Sequence, residues 1–504
     1  MRDLPLTSQS ARGPASAIRR VLPVAALLAV LLFPFAAGAA DSSIVSENQR
    51  RGTKDWLLTK VDAVLVQKNV LGEDSPHFAR SKRVEGFASQ TSYRAGDKAT
   101  FFISAEPASN VAIDIYRMGY YQGNGGRHVR SVDAIPVKPQ PTPDDGERNL
   151  RECKWSPAHE FTVPSDWLSG VYLAKLTRAD DGFQSYIVFV VRDDRKADFN
   201  FQVSDMTWQA YNRWPAWRSL YDFQGKLWNT SGGDIVSFDR PYTFFYNLLP
   251  SAANPLTNGS GEFLLWELPL AFWMEEQGYD VTYTSTRDTH RDAPGLLRTK
   301  AFLSVGHDEY WTRQMYDNVA RARDEGVNLL FLSGNAVDGE VFLTTSTDGR
   351  PDRIMGRARW FFDEEKLMGA SSYGVGLGDW VVTQPDHWLY ADTGMKKGDT
   401  IADLVGWEYH GPPLKDDPTL VVVAEGKFTD FRWEAESTHA ATFYDGPKGN
   451  FVFNAGTCWW SMPLARPPGA VNPPDADFSK TDPRVQQMTK NLFERVVNAQ
   501  SRTE

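Results

Sequence analysis

Between residues 84 and 193 the apolar side chains recur at every second position in short runs. Ala99, Phe101 and Ile103 form one such set, and Val111, Ile113 and Ile115 form the next. A period of two predicts strands with one buried face. Tyr93-Arg94-Ala95-Gly96-Asp97 makes a turn ahead of the first run. Phe161-Thr162-Val163-Pro164 precedes a further strand at Gly170 to Leu176, and Tyr186 to Val191 closes the series. Short strands divided by Gly, Pro and Asp turns, with no helical stretch between them, predict an immunoglobulin-like β-sandwich. Residues 135–150 (IPVKPQPTPDDGERNL) read as a long, Pro-rich, mobile loop, and Asp193-Asp194-Arg195-Lys196 as a linker.

Beyond residue 196 the pattern changes to strand–helix alternation. Glu262 to Glu276 is strongly apolar and stops at Gly278, as a helix does. Asp280 to Thr284 and Ala301 to Val305 read as strands. Thr312 caps a helix with Met315, Val319 and Ala322 on one face, closed by Gly326. Asn328 to Leu332 is the next strand. This order predicts a parallel, doubly wound sheet. Residues 356–460 are richer in strand pattern, and Asp482 to Gln500 reads as a closing helix.

Composition narrows the class. The 504 residues are 41% hydrophobic and 23% charged, which excludes a disordered or disulfide-stapled chain. Residues 1–40 read as an export signal: Arg19 and Arg20, an apolar stretch from Val21 to Phe35, then Ala37-Gly38-Ala39 as the cleavage site. The Arg pair raises twin-arginine export. The apolar run is short for a spanning helix and carries Pro34, so no membrane anchor is expected after cleavage. The expected location is the periplasm or the exterior. The net charge of −10 becomes −13 without the leader, which argues against nucleic acid as partner. The expected division is 1–40 leader, 41–83 extension, 84–195 sandwich and 196–504 α/β domain. Cys153 and Cys458 are the only cysteines, and spacing does not decide whether they pair.

Open parallel sheets bind ligands beyond the carboxyl ends of their strands. Three predicted strands run into polar segments: Ser285 to His290, Gly306 to Trp311, and Ser333-Gly334-Asn335. The second places His307, Asp308, Glu309 and Tyr310 in four residues before a helix. These groups suit a metal site or acid–base work; equally, the carboxylates favour a helix N-terminus and His307 satisfies a carbonyl. His290 after Asp288 is a base with its orienter or part of a polar turn. Asn335 either donates to a substrate oxygen or occupies a left-handed turn. His387 and Tyr390 line a cleft or cover the sheet. Trp208, Tyr211, Trp214, Trp217 and Tyr221 form a sugar-stacking platform or a packing surface. No GxSxG, Walker, HExxH or GxGxxG motif is present.

SVGHDEYWT, followed by a helix and NLLFLSGN, resembles the large (β) subunit of N,N-dimethylformamidase and secreted proteins sharing its C-terminal domain. The resemblance extends through EQGYDVTYTSTRDTH, DHWLYADTGMKKGD and FVFNAGTCWWSMPL, and upstream to IYRMGYYQGNGGR and SGVYLAKL. It implies a C-terminal domain like the glutamine-amidotransferase α/β fold, preceded by a β-sandwich. It also implies a mononuclear iron held by two tyrosines and one glutamate, and hydrolysis of a small amide. Tyr310 matches one tyrosine. The second tyrosine falls on Pro269 and the glutamate on Leu389, so the iron set is not carried over whole.

Two functions follow as expectations. One is an exported hydrolase acting on a carbon–nitrogen bond, with His307, Tyr310, His290, Asn335 and His387 as catalytic candidates. Asp308, Glu309 and Trp311 are then the substrate-binding candidates, and the ligand is a small molecule or a saccharide. The other is a non-catalytic secreted protein that binds a saccharide or a protein and has lost the site.

Overall fold

The computed structural model describes residues 43–62, 65–68, 74–77, 80–216, 218–223, 226–227, 234–243, 255–359, 363–415, 417–430, 435–470 and 476–498. The leader read at 1–40 and Trp217 lie outside the described residues. The fold is mixed α/β, with several sheets and few helices. No described helix is long and apolar enough to cross a membrane.

Residues 85–191 build two sheets. One has five strands in the order Ser92–Tyr93, Gln184–Val191, Gly170–Arg178, Ser109–Met118, Gly126–Val137; the other has three, Glu85–Ala88, Lys98–Ser104 and Pro157–Thr162. Alternation explains how the five-stranded sheet buries both faces. Ile113, Ile115, Tyr172, Ala174, Ile187 and Phe189 join Phe101, Ile103 and Phe161 of the three-stranded sheet in one core. Their sequence neighbours Tyr116, Leu173, Tyr186, Val188 and Val190 belong instead to a second core, shared with helix Leu268–Glu276. The Pro-rich stretch expected to be mobile is tied down. Trp155 Nε1 donates to the Pro141 carbonyl at 2.8 Å, and Arg80 Nη1 to that of Gln140 at 3.0 Å.

The largest sheet has nine strands and corrects the expectation of a wholly parallel one. Val281–Ser285, Ala197–Val203, Thr299–His307, Asn328–Gly334 and Phe451–Asn454 run parallel, in that spatial order. Ala435–Asp445, Val421–Asp430, Ala370–Val381 and Thr400–Pro413 then continue it antiparallel. The connections differ with direction: between Ala197 and Gly334 α-helices lie between the parallel strands, whereas between 370 and 445 the described connections carry only the short 3-10 turn Trp388–Tyr390.

The parallel half is buried on both faces, as its near-continuous apolar runs require. Leu303, Leu330 and Leu332 face a core with the closing helix Pro483–Asn498. Phe302, Leu329 and Phe331 face the opposite core, with Met315, Val319 and Ala322 of helix Arg313–Asp324. The two thiols are free and sit in different clusters, Cys153 beside Trp155 and Trp214, Cys458 beneath the nine-stranded sheet.

Candidate functional site

Strand Thr299–His307 ends beside Asn328–Gly334, with His307 in register with Gly334. Gly306 has φ +67°, and a Cβ there would stand 2.5 Å from the Trp266 Cβ. Glycine thus lets the chain turn past the apolar helix run. Tyr310–Thr312 then forms a short strand beside Gly339–Thr344. A Cβ at Gly339 would meet the Tyr310 ring at 2.6 Å, so glycine makes room for the phenol. The HDEY segment is therefore not a polar loop but an inward-facing turn, and His307, Glu309 and Tyr310 are all buried.

Five other segments bring partners to it. Glu408, on strand Thr400–Pro413, places Oε2 2.6 Å from His307 Nε2; Glu309 lies 3.4 Å from the same nitrogen, and Glu262 lies 3.8 Å from Nδ1. Tyr211, at the end of helix Asp205–Tyr211, donates to Glu309 at 2.6 Å. The Tyr221 hydroxyl stands 2.7 Å from that of Tyr211 and 2.8 Å from Glu309. Tyr310 donates to Tyr221 at 2.5 Å, and Arg357 Nη2 donates to Tyr310. The Arg357 guanidinium also covers the Tyr221 ring at 4.4 Å.

Burial opposes a proton on His307, but Glu408, with Glu262 and Glu309, holds its pKa well above the ordinary value. Burial raises Glu262, against the pull of His307. Glu309 is lowered despite burial, because His307, Tyr211 and Arg357 stabilise the carboxylate. Burial pushes all three phenols well up, with Glu309 adding to the shift. Arg357 pulls Tyr310 the other way. The arrangement combines a proton donor in His307, an ionised acceptor in Glu309 and phenolic donors in one enclosed space.

The remaining candidates go elsewhere. Asp308 accepts from Gln202 at 2.7 Å and Ser304 at 2.9 Å, and burial pushes its carboxyl up to about 6. Trp311 packs between Phe302 and Phe331 in the core. Ser285 to His290 is a helix start, not a loop. Ser285 and Asp288 form a capping box because each side chain satisfies the other's backbone N–H. His290 Nδ1 meets the Thr312 hydroxyl at 2.8 Å, and Thr312 in turn caps helix Arg313–Asp324. Asn335 occupies the left-handed region at φ +49°. His387 stacks near Trp388 and Phe443, and burial lowers its pKa to about 4. None of these joins the His307 cluster among the described contacts.

The iron positions implied by resemblance do not fit. Pro269 has no ligating atom, and Leu389 belongs to a different core from Tyr310. No step is routed through iron. A separate donor set exists: one atom each from His307, Glu309 and Glu408 lies within 4.8 Å of the others. The close contacts of His307 Nδ1, His307 Nε2 and Glu408 Oε2 are not well-aligned hydrogen bonds, and neither Glu262 oxygen accepts one. Three carboxyl groups thus face one imidazole and one guanidinium, an oxygen-rich donor set of the kind that suits a divalent cation.

Sequence reasoning missed Glu262, Glu408 and Arg357, and read Tyr211 and Tyr221 only as a platform or packing. The available signal was a carboxylate inside an otherwise apolar segment, as Glu408 is in VGWEY. Buried carboxylates rarely occur without a partner or a task.

Residues 112–475 match a family model described as N,N-dimethylformamidase beta subunit-like, C-terminal. No curated protein matches the chain. Two similar solved structures are both of Bacteroides uniformis beta-glucuronidase. Beta-glucuronidase 2, covalently bound to cyclophellitol-6-carboxylate aziridine, is 9% identical with a TM-score of 0.14; the match covers 55% of this chain and 30% of that one. The other is 10% identical with a TM-score of 0.13, covering 50% and 28%. At those scores the likeness carries no argument.

Proposed function

The chain belongs to the N,N-dimethylformamidase beta subunit-like family, and from that membership we propose an exported hydrolase cleaving a carbon–nitrogen bond of a small amide. The reaction centre in this reading is the His307–Glu309–Glu408 cluster. The observation that supports it is the convergence of six chain segments on one dry group of acids, bases and phenols that core packing does not require. An immunoglobulin-like region at 84–195 and an amidotransferase-like region at 196–504 belong to the same proposal, as do export and the absence of a nucleic-acid partner.

The chemistry follows from positions. Glu408 or Glu309 accepts a proton from water as its oxygen forms a bond to the amide carbon. Tyr310 and Tyr221, backed by Arg357, hydrogen-bond the carbonyl oxygen as charge develops there. His307 delivers a proton to the departing nitrogen, the C–N bond breaks, and a carboxylic acid and an amine remain; the proton taken up by the glutamate returns to His307. Because His307, Glu309 and Tyr310 are enclosed, the surroundings must open to admit substrate.

The test is amine release from a panel of small formamides and acetamides by the purified protein. His307→Ala and Tyr310→Phe are each expected to lose at least ~100-fold, within the range for acid–base and oxyanion groups. Wild-type turnover in both variants would show that the site is wrong. The second reading, a non-catalytic binding protein, is favoured by one observation: the two described recesses lie away from the cluster. Ligand binding without turnover of any amide would select it.

A further inference from the structure

Three polar side chains meet on the five-stranded sheet, on the face turned away from the sandwich core. Asp114 lies on strand Ser109–Met118, and His128 and Ser131 lie on its neighbour Gly126–Val137. The Ser131 hydroxyl donates to Asp114 Oδ1 at 2.6 Å and stands 2.9 Å from His128 Nε2. That nitrogen lies 3.2 Å from the same carboxylate oxygen. The three atoms form one triangle open to solvent: the His128 side chain is 41% exposed and that of Asp114 35%.

Regular strand pairing would not build this triangle. Ser131 is opposite Asp114, but His128 is an odd number of residues from Ser131, and odd spacing puts two side chains on opposite faces. A β-bulge reverses that. Ile115 pairs with Arg130 and Tyr116 with His128, so Val129 is an extra residue between the two pairs. Val129 and Arg130 both turn inward, Val129 against the sandwich core and Arg130 over the Phe161 ring at 5.0 Å. His128 therefore comes out beside Ser131. The charge on Asp114 is also left open. Lys175 lies directly across the other neighbouring strand, where opposite charges ordinarily pair. Its ammonium donates instead to the carbonyls of Asp55 and Leu57, at 2.8 and 2.7 Å. Among the described residues no lysine or arginine forms an ion pair with Asp114, whose partner is His128.

We propose that His128 Nε2, Asp114 Oδ1 and Ser131 Oγ bind a divalent transition-metal ion of the zinc and copper class. Bonds of about 2.1 Å at right angles hold neighbouring donor atoms about 3 Å apart, which is the spacing of this triangle. The ion takes the place of the hydrogens now shared by the three atoms. The imidazole proton moves to Nδ1 and frees the Nε2 lone pair, while the Ser131 hydroxyl turns its hydrogen outward. Water completes the coordination on the open side. An imidazole donor selects zinc or copper over magnesium. The site lies on a different sheet from the His307 cluster and does not depend on the reaction proposed there.

The test is calorimetric titration of the full-length protein with zinc chloride and with magnesium chloride, in a buffer free of chelators. Saturable zinc binding is expected, at least ~10-fold tighter than that of magnesium. His128→Gln and Asp114→Asn are each expected to weaken it at least ~10-fold, and Ser131→Ala at least ~3-fold. Melting temperatures without metal are expected to stay unchanged, because all three side chains reach solvent. Absent zinc binding, equal binding of magnesium, or an unchanged zinc isotherm in any of the three folded variants would each overturn the proposal.

Discussion

Two buried groups of charges in this molecule are built to opposite specifications. Arg117, on strand Ser109–Met118, meets Glu275, on helix Leu268–Glu276, at 2.8 Å with both side chains fully enclosed. The pair is bidentate, and Asn48, Tyr283 and Tyr121 satisfy further oxygens and nitrogens around it. Its task is to join the five-stranded sheet to the helix that packs against the nine-stranded one. The His307 cluster is equally dry, yet its carboxylates outnumber its cations and its closest contacts are poorly aligned. Matched charges hold a fold together; a surplus of one sign costs stability, and a fold keeps it where it has another use.

The same substitution at the two places sharpens that contrast most. Glu275→Gln strands the Arg117 charge in the interior and is expected to cost about 3–5 kcal/mol in urea unfolding. Glu408→Gln leaves Glu309 and Glu262 beside His307, so stability is expected to stay within about 1 kcal/mol of wild type. Amide turnover in Glu408→Gln is expected to fall at least ~100-fold. Comparable destabilisation in both variants would erase the distinction between the two groups.

An acid titration tests a buried group of a third kind. His410 accepts the Ala336 N–H on Nε2 at 2.9 Å and faces Asn454 Oδ1 through Nδ1 at 2.7 Å, so its ring is neutral. Burial lowers its pKa to about 4 from 6.5, and His439 beside it is lowered likewise. Above pH 6.5 neither state carries the proton and the group has no effect. As pH falls from 6.5 towards 4 the unfolded chain takes up protons that the folded one refuses, so stability drops across that window. His410→Asn is expected to flatten the decline in unfolding free energy measured over that range.

The smallest effect is expected at His290. Among the described hydrogen bonds its ring meets Thr312 alone, the cap of helix Arg313–Asp324. His290→Ala is expected to cost about 1 kcal/mol or less and to leave amide turnover unchanged. A large loss of turnover would return His290 to the reaction centre.

What was legible in the chain follows the range of the interactions. Leu329 to Leu332 is apolar without interruption, which already implies a strand buried on both faces, and Thr312 before Met315 announced its helix. The HDEY segment stood out because four titratable groups adjoin one strand end. The antiparallel half was not legible, because the described connections between strands 370–445 carry no α-helix to fix their direction. Glu408 was invisible as a partner because it reaches His307 only through the pairing of sheet strands distant in sequence. Tyr211 and Tyr221 were visible as aromatics, but a hydroxyl aimed at Glu309 looks the same in sequence as one aimed at water.

The most direct measurement is amine release from small amides by wild type and Glu408→Gln, with the melting temperature of each determined alongside. The account predicts turnover in wild type, at least a hundredfold loss in Glu408→Gln, and no fall in melting temperature. Undiminished turnover in Glu408→Gln, or a loss that merely tracks unfolding, would contradict it.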